Sequence, residues 1–172
     1  VQHAEHVGTK TQGAAGMQPS WCEEVILAKD LLKEVMRHHV EIISEFPGSE
    51  LVGKSYTPLF PGAVDRGESK TAWTVVSADF VTTSDGTGVV HTAVMYGEDD
   101  YALGMEVGFP AQHTVGMDGK FISGTHNSLD GRYVKDCDSD IINLLEQEGR
   151  LYREHIYTHD YPHCWRTDHP LL

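Results

Sequence analysis

The feature that most constrains the fold of this chain is a pair of short, glycine-led runs near its middle. Residues 86–93 read GTGVVHTA, and residues 97–101 read GEDDY. The first run predicts a glycine turn and then a strand that carries His91, because β-branched residues favour strands. The second run predicts a helix that opens on three acids, where the helix dipole favours negative charge. This order brings a histidine and a carboxylate to the same end of a strand and helix unit.

Asp100 is the acid of this unit that we expect to be half-sheltered from water. Tyr101 and Met105 are one helical turn apart and are predicted to face the core, and Asp100 lies beside that face. A half-sheltered carboxylate is a natural receptor for an ammonium group. A purely structural interpretation also stays open. In it, Asp85 and Gly86 form a turn, His91 is an ordinary strand residue, and the acids only match the dipole.

The rest of the chain predicts an α+β fold of short antiparallel strands with interposed helices. Strands are predicted over 23–27, 71–81, 89–94 and 151–157, with hairpin turns at 84–86 and 117–119. Helices are predicted over 98–107, over 136–148, and from Leu27 to His38 or His39. Gly108 and Gly149 are the expected stops of the first two helices. Residues 8–21 predict a surface loop, and residues 53–62 predict an extended connector.

Composition limits the partners of the chain. Its 172 residues, 40% hydrophobic and 23% charged, fit one globular domain. No apolar run approaches the roughly 20 residues that cross a bilayer, and residues 1–16 lack the pattern of a secretory signal. Three cysteines without a close pair suit a reducing compartment. A net charge of −13 argues against binding of a long duplex such as DNA by this chain alone. The chain could still receive one end of a nucleic acid that a larger, basic protein delivers.

Metal and nucleophile motifs are weak. The chain has 11 histidines, and four of them crowd near Cys164, at positions 155, 159, 163 and 169. A small zinc module is one interpretation of that cluster, but a structural site needs four ligands in close-set pairs. Thr167 stands where the second cysteine of a Cys-x-x-Cys pair would be. The chain has no HExxH and no GxSxG elbow, so we expect no bound metal and no serine nucleophile.

Residues 86–104, GTGVVHTAVMYGEDDYALG, resemble the core of the editing domain inserted in isoleucyl-tRNA synthetases. The tail THDYPHCWRTDHPLL, residues 158–172, resembles the family's Tyr-Pro-His-Cys-Trp-Arg-Cys run. Other pieces follow in family order: ILAKDLL (26–32), GSELVGKSYTPLFP (48–61), SADFVTTSDGTG (77–88), GKF (119–121) and YVKDCDSDII (133–142). The resemblance covers residues 23–172. It implies that residues 1–172 are a single editing domain, a fragment of a larger synthetase, without the family's threonine-rich first segment.

The resemblance also implies a fold, a reaction and roles for individual residues. The fold is mainly antiparallel and β-barrel-like, as in the valine, isoleucine and leucine synthetases, with peripheral helices. The reaction is hydrolysis of valine mischarged onto tRNA(Ile), because one methylene is worth only about 1–3 kcal/mol of discrimination, a magnitude established on this very family. Asp100 would hold the α-amino group, and His91 would line the amino-acid pocket and keep isoleucine out. The residues expected to shape the pocket are Thr87, Gly88, Thr92 and Tyr96.

The implied partners are the 3′ end of tRNA(Ile) carrying valine and the rest of the synthetase polypeptide, with no membrane and no DNA. The implied location is the cytoplasm. No cofactor is expected in this fragment, since ATP and magnesium serve the absent synthetic domain. Two alternatives stay open. One is a non-catalytic folded fragment that at most binds a tRNA 3′ end or the parent enzyme's other domains, which the missing threonine strand favours. The other is the zinc module.

Overall fold

The structure, a computed structural model, describes residues 3–9, 23–36, 40–154, 156 and 163–168. It divides into two compact units, Val1–Tyr56 with Gly67–Ala111, and Thr57–Arg66 with Gln112–Leu172. Its strands are β1 (His3–Thr9), β2 (Glu23–Ala28) and β3 (Glu41–Pro47). Its α-helices are α1 (Leu32–Val35), α2 (Glu98–Val107) and α3 (Asp138–Gln147). Short 3-10 turns cover Lys29–Leu31, Gly48–Leu51 and Val134–Asp136. The single domain and the barrel-like architecture stay predictions.

The first unit contains an antiparallel three-stranded sheet in the order β2-β1-β3. The strand predicted over 23–27 is confirmed as β2. The helix predicted after Leu27 is confirmed only as the 3-10 turn and the single turn of α1. The predicted spacing still marks the buried side, since Leu27, Leu31 and Val35 are between 1% and 5% exposed. His38 and His39 lie outside the described residues.

The strands predicted over 71–81 and 89–94 are absent, and no ladder joins these two segments. Residues 73–75 pair instead with the connector after Gly53. The Gly53 N–H donates to the Val75 carbonyl oxygen at 2.8 Å, and the Tyr56 N–H donates to the Trp73 carbonyl oxygen at 2.9 Å. The hairpin predicted at 84–86 is therefore wrong, because β-branched composition indicates extended backbone without specifying its partner.

Residues 87 and 88 lie against the end of β2. The Ala28 N–H donates to the Thr87 carbonyl oxygen at 2.8 Å. Gly88 has a φ of +75°, and a Cβ built on it would lie 2.5 Å from the Cβ of Ala28. Glycine is therefore required at this position both for its backbone conformation and for the close approach of the turn to the strand. Of the loop predicted over 8–21, residues 8 and 9 end β1 and residues 10–21 lie outside the described residues.

Gly88→Ala should destabilise the fold more than Gly86→Ala. Both glycines have a positive φ, 75° and 66°, so an alanine at either adds left-handed strain of about 1–2 kcal/mol. Only the new methyl at position 88 also meets another atom within 4 Å. That clash should add about 1–3 kcal/mol. Urea unfolding of the two variants measures the difference, and equal midpoints would contradict the close approach to Ala28.

The second unit is built on α3 and on a hairpin over residues 113–122. The helix predicted over 136–148 is confirmed as α3 preceded by a 3-10 turn, and it stops before Gly149, whose φ is +66°. Cys137 is fully buried, and its Sγ donates to the Tyr133 carbonyl oxygen. The predicted hairpin is confirmed by the hydrogen bond from the Ile122 N–H to the Thr114 carbonyl oxygen. No strand begins at Leu151, and residues 155 and 157 lie outside the described ranges.

Asp130 organises the loop between this hairpin and α3. Its Oδ2 accepts a hydrogen bond from the Gly124 N–H at 2.7 Å, and its Oδ1 accepts one from the His126 N–H at 2.8 Å. The bond from the His126 backbone, and then that from Gly124, hold the pKa of Asp130 below its ordinary value. The ionised carboxylate is thus part of the loop.

The described part of the chain contains no helix with the length and the apolar character that a membrane span requires.

Asp130→Ala should lower stability at neutral pH, with an effect that fades in acid. A folded pKa below the unfolded value means that the stabilisation is fully present above the ordinary aspartate pKa of about 3.9 and is lost as the pH falls through the folded pKa. Urea midpoints measured from pH 7 to pH 3 should therefore converge with those of the wild type. Asp79→Ala is the control, because Asp79 is exposed and its carboxylate makes no hydrogen bond in the described part of the chain. A pH-independent loss would contradict this role of the charge.

Candidate functional site

Helix α2 presents Asp100 on its inward face. The helix is confirmed over the predicted residues, with Gly97 as N-cap and Gly108 in the left-handed conformation at its end. Asp100, Leu103 and Val107 are half-buried, and Gly104 is buried. These positions are three or four apart and define one face of the helix. Asp100 is therefore half-sheltered, as predicted.

The prediction that Tyr101 and Met105 face the core is wrong. Their exposed fractions are 48% and 46%. The helix is rotated by about one residue from the predicted orientation, because the inward position is taken by Gly104 rather than by the larger side chains. A Cβ at position 104 would lie 2.7 and 2.9 Å from the two methyl carbons of Val94, which is itself buried. The absence of a side chain at Gly104 lets the segment before α2 pack directly on the helix.

A single hydrogen bond ties Asp100 to that segment. The Ala93 N–H donates to Asp100 Oδ2 at 3.2 Å. The Tyr96 N–H donates to the Ala93 carbonyl oxygen at 2.8 Å, and the Tyr101 N–H donates to the Gly97 carbonyl oxygen at 2.8 Å, so residues 93–101 close into a compact loop and helix start. Within the described ranges, no lysine or arginine pairs with Asp100 and its Oδ1 makes no hydrogen bond. Asp100 is thus an anion with one anchored oxygen and one available oxygen.

His91 and Thr92 stand on the chain immediately before Ala93. Two residues of extended chain span at most about 7 Å, so the hydrogen bond to Ala93 keeps the carboxylate near the segment that bears the imidazole. His91 is exposed and Thr92 is half-buried. The alternation predicted for a strand here is wrong. Exposure instead falls along the segment, from 55% at Val90 to 9% at Val94, because the end nearest α2 is the end that packs.

The remaining predicted site residues are divided between two places. Tyr96 is 48% exposed and belongs to the loop around Ala93. Thr87 is exposed, and its hydroxyl is used locally, donating to the Val89 carbonyl oxygen at 3.0 Å. Gly88 packs on β2. In the described part of the chain, no hydrogen bond joins Thr87 or Gly88 to Asp100.

Two positions next to the Asp100 carboxylate were missed by sequence reasoning. Ala93 acts through its backbone N–H, which leaves no trace in the residue type. Gly97 is the N-cap of α2, and glycine is common enough at that position that the residue type alone does not point to Asp100.

The zinc interpretation stays a hypothesis. No group of three or more possible ligands occurs among the described residues, and His155, His159 and His169 lie outside them. A hydrogen bond from the Thr167 hydroxyl, and then one from the Arg166 backbone, lower the pKa of the Cys164 thiol. Thr167, which stands where the second cysteine of a Cys-x-x-Cys pair would be, therefore contacts Cys164. An open groove of about 580 Å³ in the second unit, between α3 and residues 151–154, contains none of the predicted site residues.

Comparison with known proteins identifies the family. No family model matches the chain. It is 44% identical over 150 residues to an isoleucine-tRNA ligase of Clostridium novyi, 44% identical over 147 residues to one of Bacillus thuringiensis, and 45% identical over 150 residues to one of Clostridium acetobutylicum. These matches cover 86–87% of this chain.

The relatives are therefore aminoacyl-tRNA ligases. The chain belongs to the isoleucyl-tRNA synthetase family, and it spans about 14% of the length of the curated relatives it matches. The family predicted from residues 86–104 and 158–172 is confirmed. The role of this segment within the enzyme is a separate question, which the geometry around Asp100 addresses.

Gly104→Ala should destabilise the chain even though alanine favours helices. The helical preference of about 0.5–1 kcal/mol is smaller than the overpacking of about 1–3 kcal/mol expected against the Val94 methyls. Val94→Ala alone should cost about 1.5 kcal/mol, for two methyl equivalents.

In the double variant the new methyl occupies the space that the valine vacates. The double variant should therefore be about 1 kcal/mol more stable than the sum of the two single effects predicts. Strict additivity in urea unfolding would contradict the contact.

Proposed function

We propose that this chain is the inserted editing domain of isoleucyl-tRNA synthetase and that it hydrolyses valine mischarged onto tRNA(Ile). The carboxylate of Asp100 is the observation that carries the proposal. It is half-buried, it has an available oxygen, and it lacks a cationic partner among the described residues. An aminoacyl ester carries one cation, its α-ammonium, one carbon away from the bond to be cleaved. The site therefore suits that group in charge.

In the proposed reaction, Asp100 Oδ1 receives the α-ammonium in a charge-assisted hydrogen bond. This contact fixes the ester carbonyl relative to the loop over residues 91–96, which is catalysis by orientation. A water oxygen adds to the carbonyl carbon, and backbone N–H groups are the proposed donors to the developing oxyanion. The bond from the carbonyl carbon to the ribose oxygen then breaks, the ribose oxygen takes a proton, and valine and tRNA leave. No side chain is assigned as general base, since Asp100 is engaged by the ammonium.

His91 is proposed to reject isoleucine by size. One methylene is worth only about 1–3 kcal/mol in attractive binding, so exclusion has to come from a wall that the larger side chain meets. An imidazole at the exposed rim of the loop, two residues from Ala93, is suited to that role. Thr92 and Tyr96 are proposed to shape the same rim, and Thr87 and Gly88 are proposed to complete the pocket.

The acidity of the chain sets the proposed division of labour. With a net charge of −13, the segment repels a polyphosphate backbone at long range. We therefore propose that the rest of the synthetase binds the body of tRNA(Ile) and that this segment receives only the aminoacylated 3′ end. The proposed setting is the cytoplasm, without a membrane or DNA partner and without a cofactor of its own.

A second candidate function is that of a folded segment that binds the tRNA end without cleaving it. Its support is that no hydrogen bond joins Thr87 or Gly88 to Asp100 in the described part of the chain. The two candidates differ in whether ester hydrolysis occurs, which a deacylation assay measures directly.

Valine release from Val-tRNA(Ile) should be rapid with the wild type and at least about 100-fold slower with Asp100→Ala, because orientation of the ester is lost. Asp99→Ala is the matched control, since it removes an exposed carboxylate from the same helical turn. The assay should be run with the chain alone and with the chain in place of the homologous segment of the Clostridium novyi ligase. Binding without release in both settings would favour the second candidate, and equal loss in both variants would contradict the role of Asp100.

His91→Ala should make Ile-tRNA(Ile) a substrate while Val-tRNA(Ile) is still cleaved. The enlarged rim admits one more methylene, and the expected gain in isoleucine release is about 10-fold or more. Deacylation of the two esters by the same preparation gives the ratio. Continued full protection of the isoleucyl ester would show that another residue does the sieving.

A further inference from the structure

Gly97 is the N-cap of α2, and its backbone dihedral angles do not require glycine. Its φ is −153° and its ψ is 142°, an extended conformation that any residue adopts. As the N-cap of α2 it makes no side-chain capping bond, although Ser, Thr, Asp or Asn at this position would satisfy one of the free backbone N–H groups. Serine, asparagine or aspartate would cap the helix better than glycine by only about a few tenths of a kcal/mol, so capping permits glycine here without demanding it.

The space above Gly97 is taken by the Asp100 side chain. A Cβ built at position 97 would lie 3.0 Å from Asp100 Oδ2, 3.4 Å from its Cγ and 3.5 Å from its Cβ. The first of these distances is tighter than ordinary contact, so a methyl at position 97 must push the carboxylate away by a few tenths of an ångström. The oxygen that would move is the one that accepts the Ala93 N–H at 3.2 Å.

The path of the Asp100 side chain explains why this space is needed. Asp100 is the third residue of α2, where an acidic side chain commonly turns back to the N-cap's own N–H. Here the carboxylate instead reaches past Gly97 to residue 93, four positions before the N-cap. A Cβ at position 97 would displace the carboxylate from that route by a few tenths of an ångström.

We propose that Gly97 is a positioning residue for editing: by leaving the N-cap of α2 without a side chain, it lets Asp100 anchor on the Ala93 N–H and present its other oxygen to the substrate ammonium. This proposal rests on the proposed hydrolysis of Val-tRNA(Ile). It assigns the glycine a role in orienting a charged group rather than in backbone conformation.

The test compares Gly97→Ala and Gly97→Ser in the chain as it stands. Both variants place a Cβ against Asp100 Oδ2, but serine is a favoured N-cap and alanine is a poor one. If Gly97 positions Asp100, both variants should lower kcat for Val-tRNA(Ile) by about 10-fold with little change in KM, because orientation and not tRNA binding is affected. Thermal unfolding should show the serine variant at least as stable as the alanine variant.

A substrate without the ammonium separates positioning from general damage. In 2-hydroxy-3-methylbutanoyl-tRNA(Ile), a hydroxyl replaces the amino group, so the slow hydrolysis of this ester should be nearly the same in the wild type and in both variants. A further readout is the background of Asp100→Ala, in which adding Gly97→Ala should lower the residual rate no further.

Gly116→Ala is the matched control. Its new methyl would also lie 3.0 Å from an aspartate oxygen, Asp118 Oδ1, which likewise accepts a backbone N–H at 3.2 Å, but in the hairpin of the second unit. This variant should leave kcat unchanged.

The outcomes distinguish the two proposals. Absence of hydrolysis by the wild type, both alone and in place of the homologous segment of the Clostridium novyi ligase, would overturn the proposed function and this inference with it. Hydrolysis by the wild type together with a fully active Gly97→Ser variant would overturn the inference alone, and a loss confined to Gly97→Ala would assign the effect to helix capping. An equal loss on the hydroxyl ester would also overturn it, by showing damage that does not involve the ammonium.

Discussion

The approach of Val94 to Gly104 is the contact on which the candidate site depends. It sets the rotation of α2, because a helix can come this close to a buried valine only along the side that has no side chain. Asp100 lies one turn before Gly104 on that side. The carboxylate therefore faces the segment that carries His91, and the larger Tyr101 and Met105 turn towards water. A contact between two apolar groups thus decides the direction of a charge.

The electrostatics of Asp100 follow from how it is held. A neutral backbone N–H orients the carboxylate without cancelling its charge, whereas a lysine or arginine would have done both. The start of α2 favours negative charge at this point, so three adjacent acids can be tolerated there. The result is a fixed anion suited to a small cation, on a chain whose overall charge is unfavourable for a nucleic-acid backbone. These two properties agree if one end of a tRNA is received and its body is held elsewhere.

Sequence reasoning succeeded where the signal was local. Helix α2 was predicted with its observed limits because glycines bound it at both ends and acids open it. The hairpin over 113–122 and helix α3 were also predicted from local signals, namely the turn at 117–119 and the stop at Gly149. Sequence reasoning failed for residues 71–81 and 89–94, where β-branched composition indicated strands. Residues 73–75 pair with a connector rich in glycine and proline, and such a partner has no recognisable pattern in one sequence.

By itself the sequence determined the family, the two longer helices and the identity of the charged residue, because these depend on residue type and on spacing along the chain. The tertiary structure decided which face of α2 is buried, which oxygen of Asp100 is anchored, and how closely position 97 approaches that oxygen. These features depend on distances of about 3 Å between residues that meet only after folding, and they involve backbone groups and empty space. A backbone N–H has no letter of its own in the sequence, and the letter of a glycine does not say which neighbour approaches it.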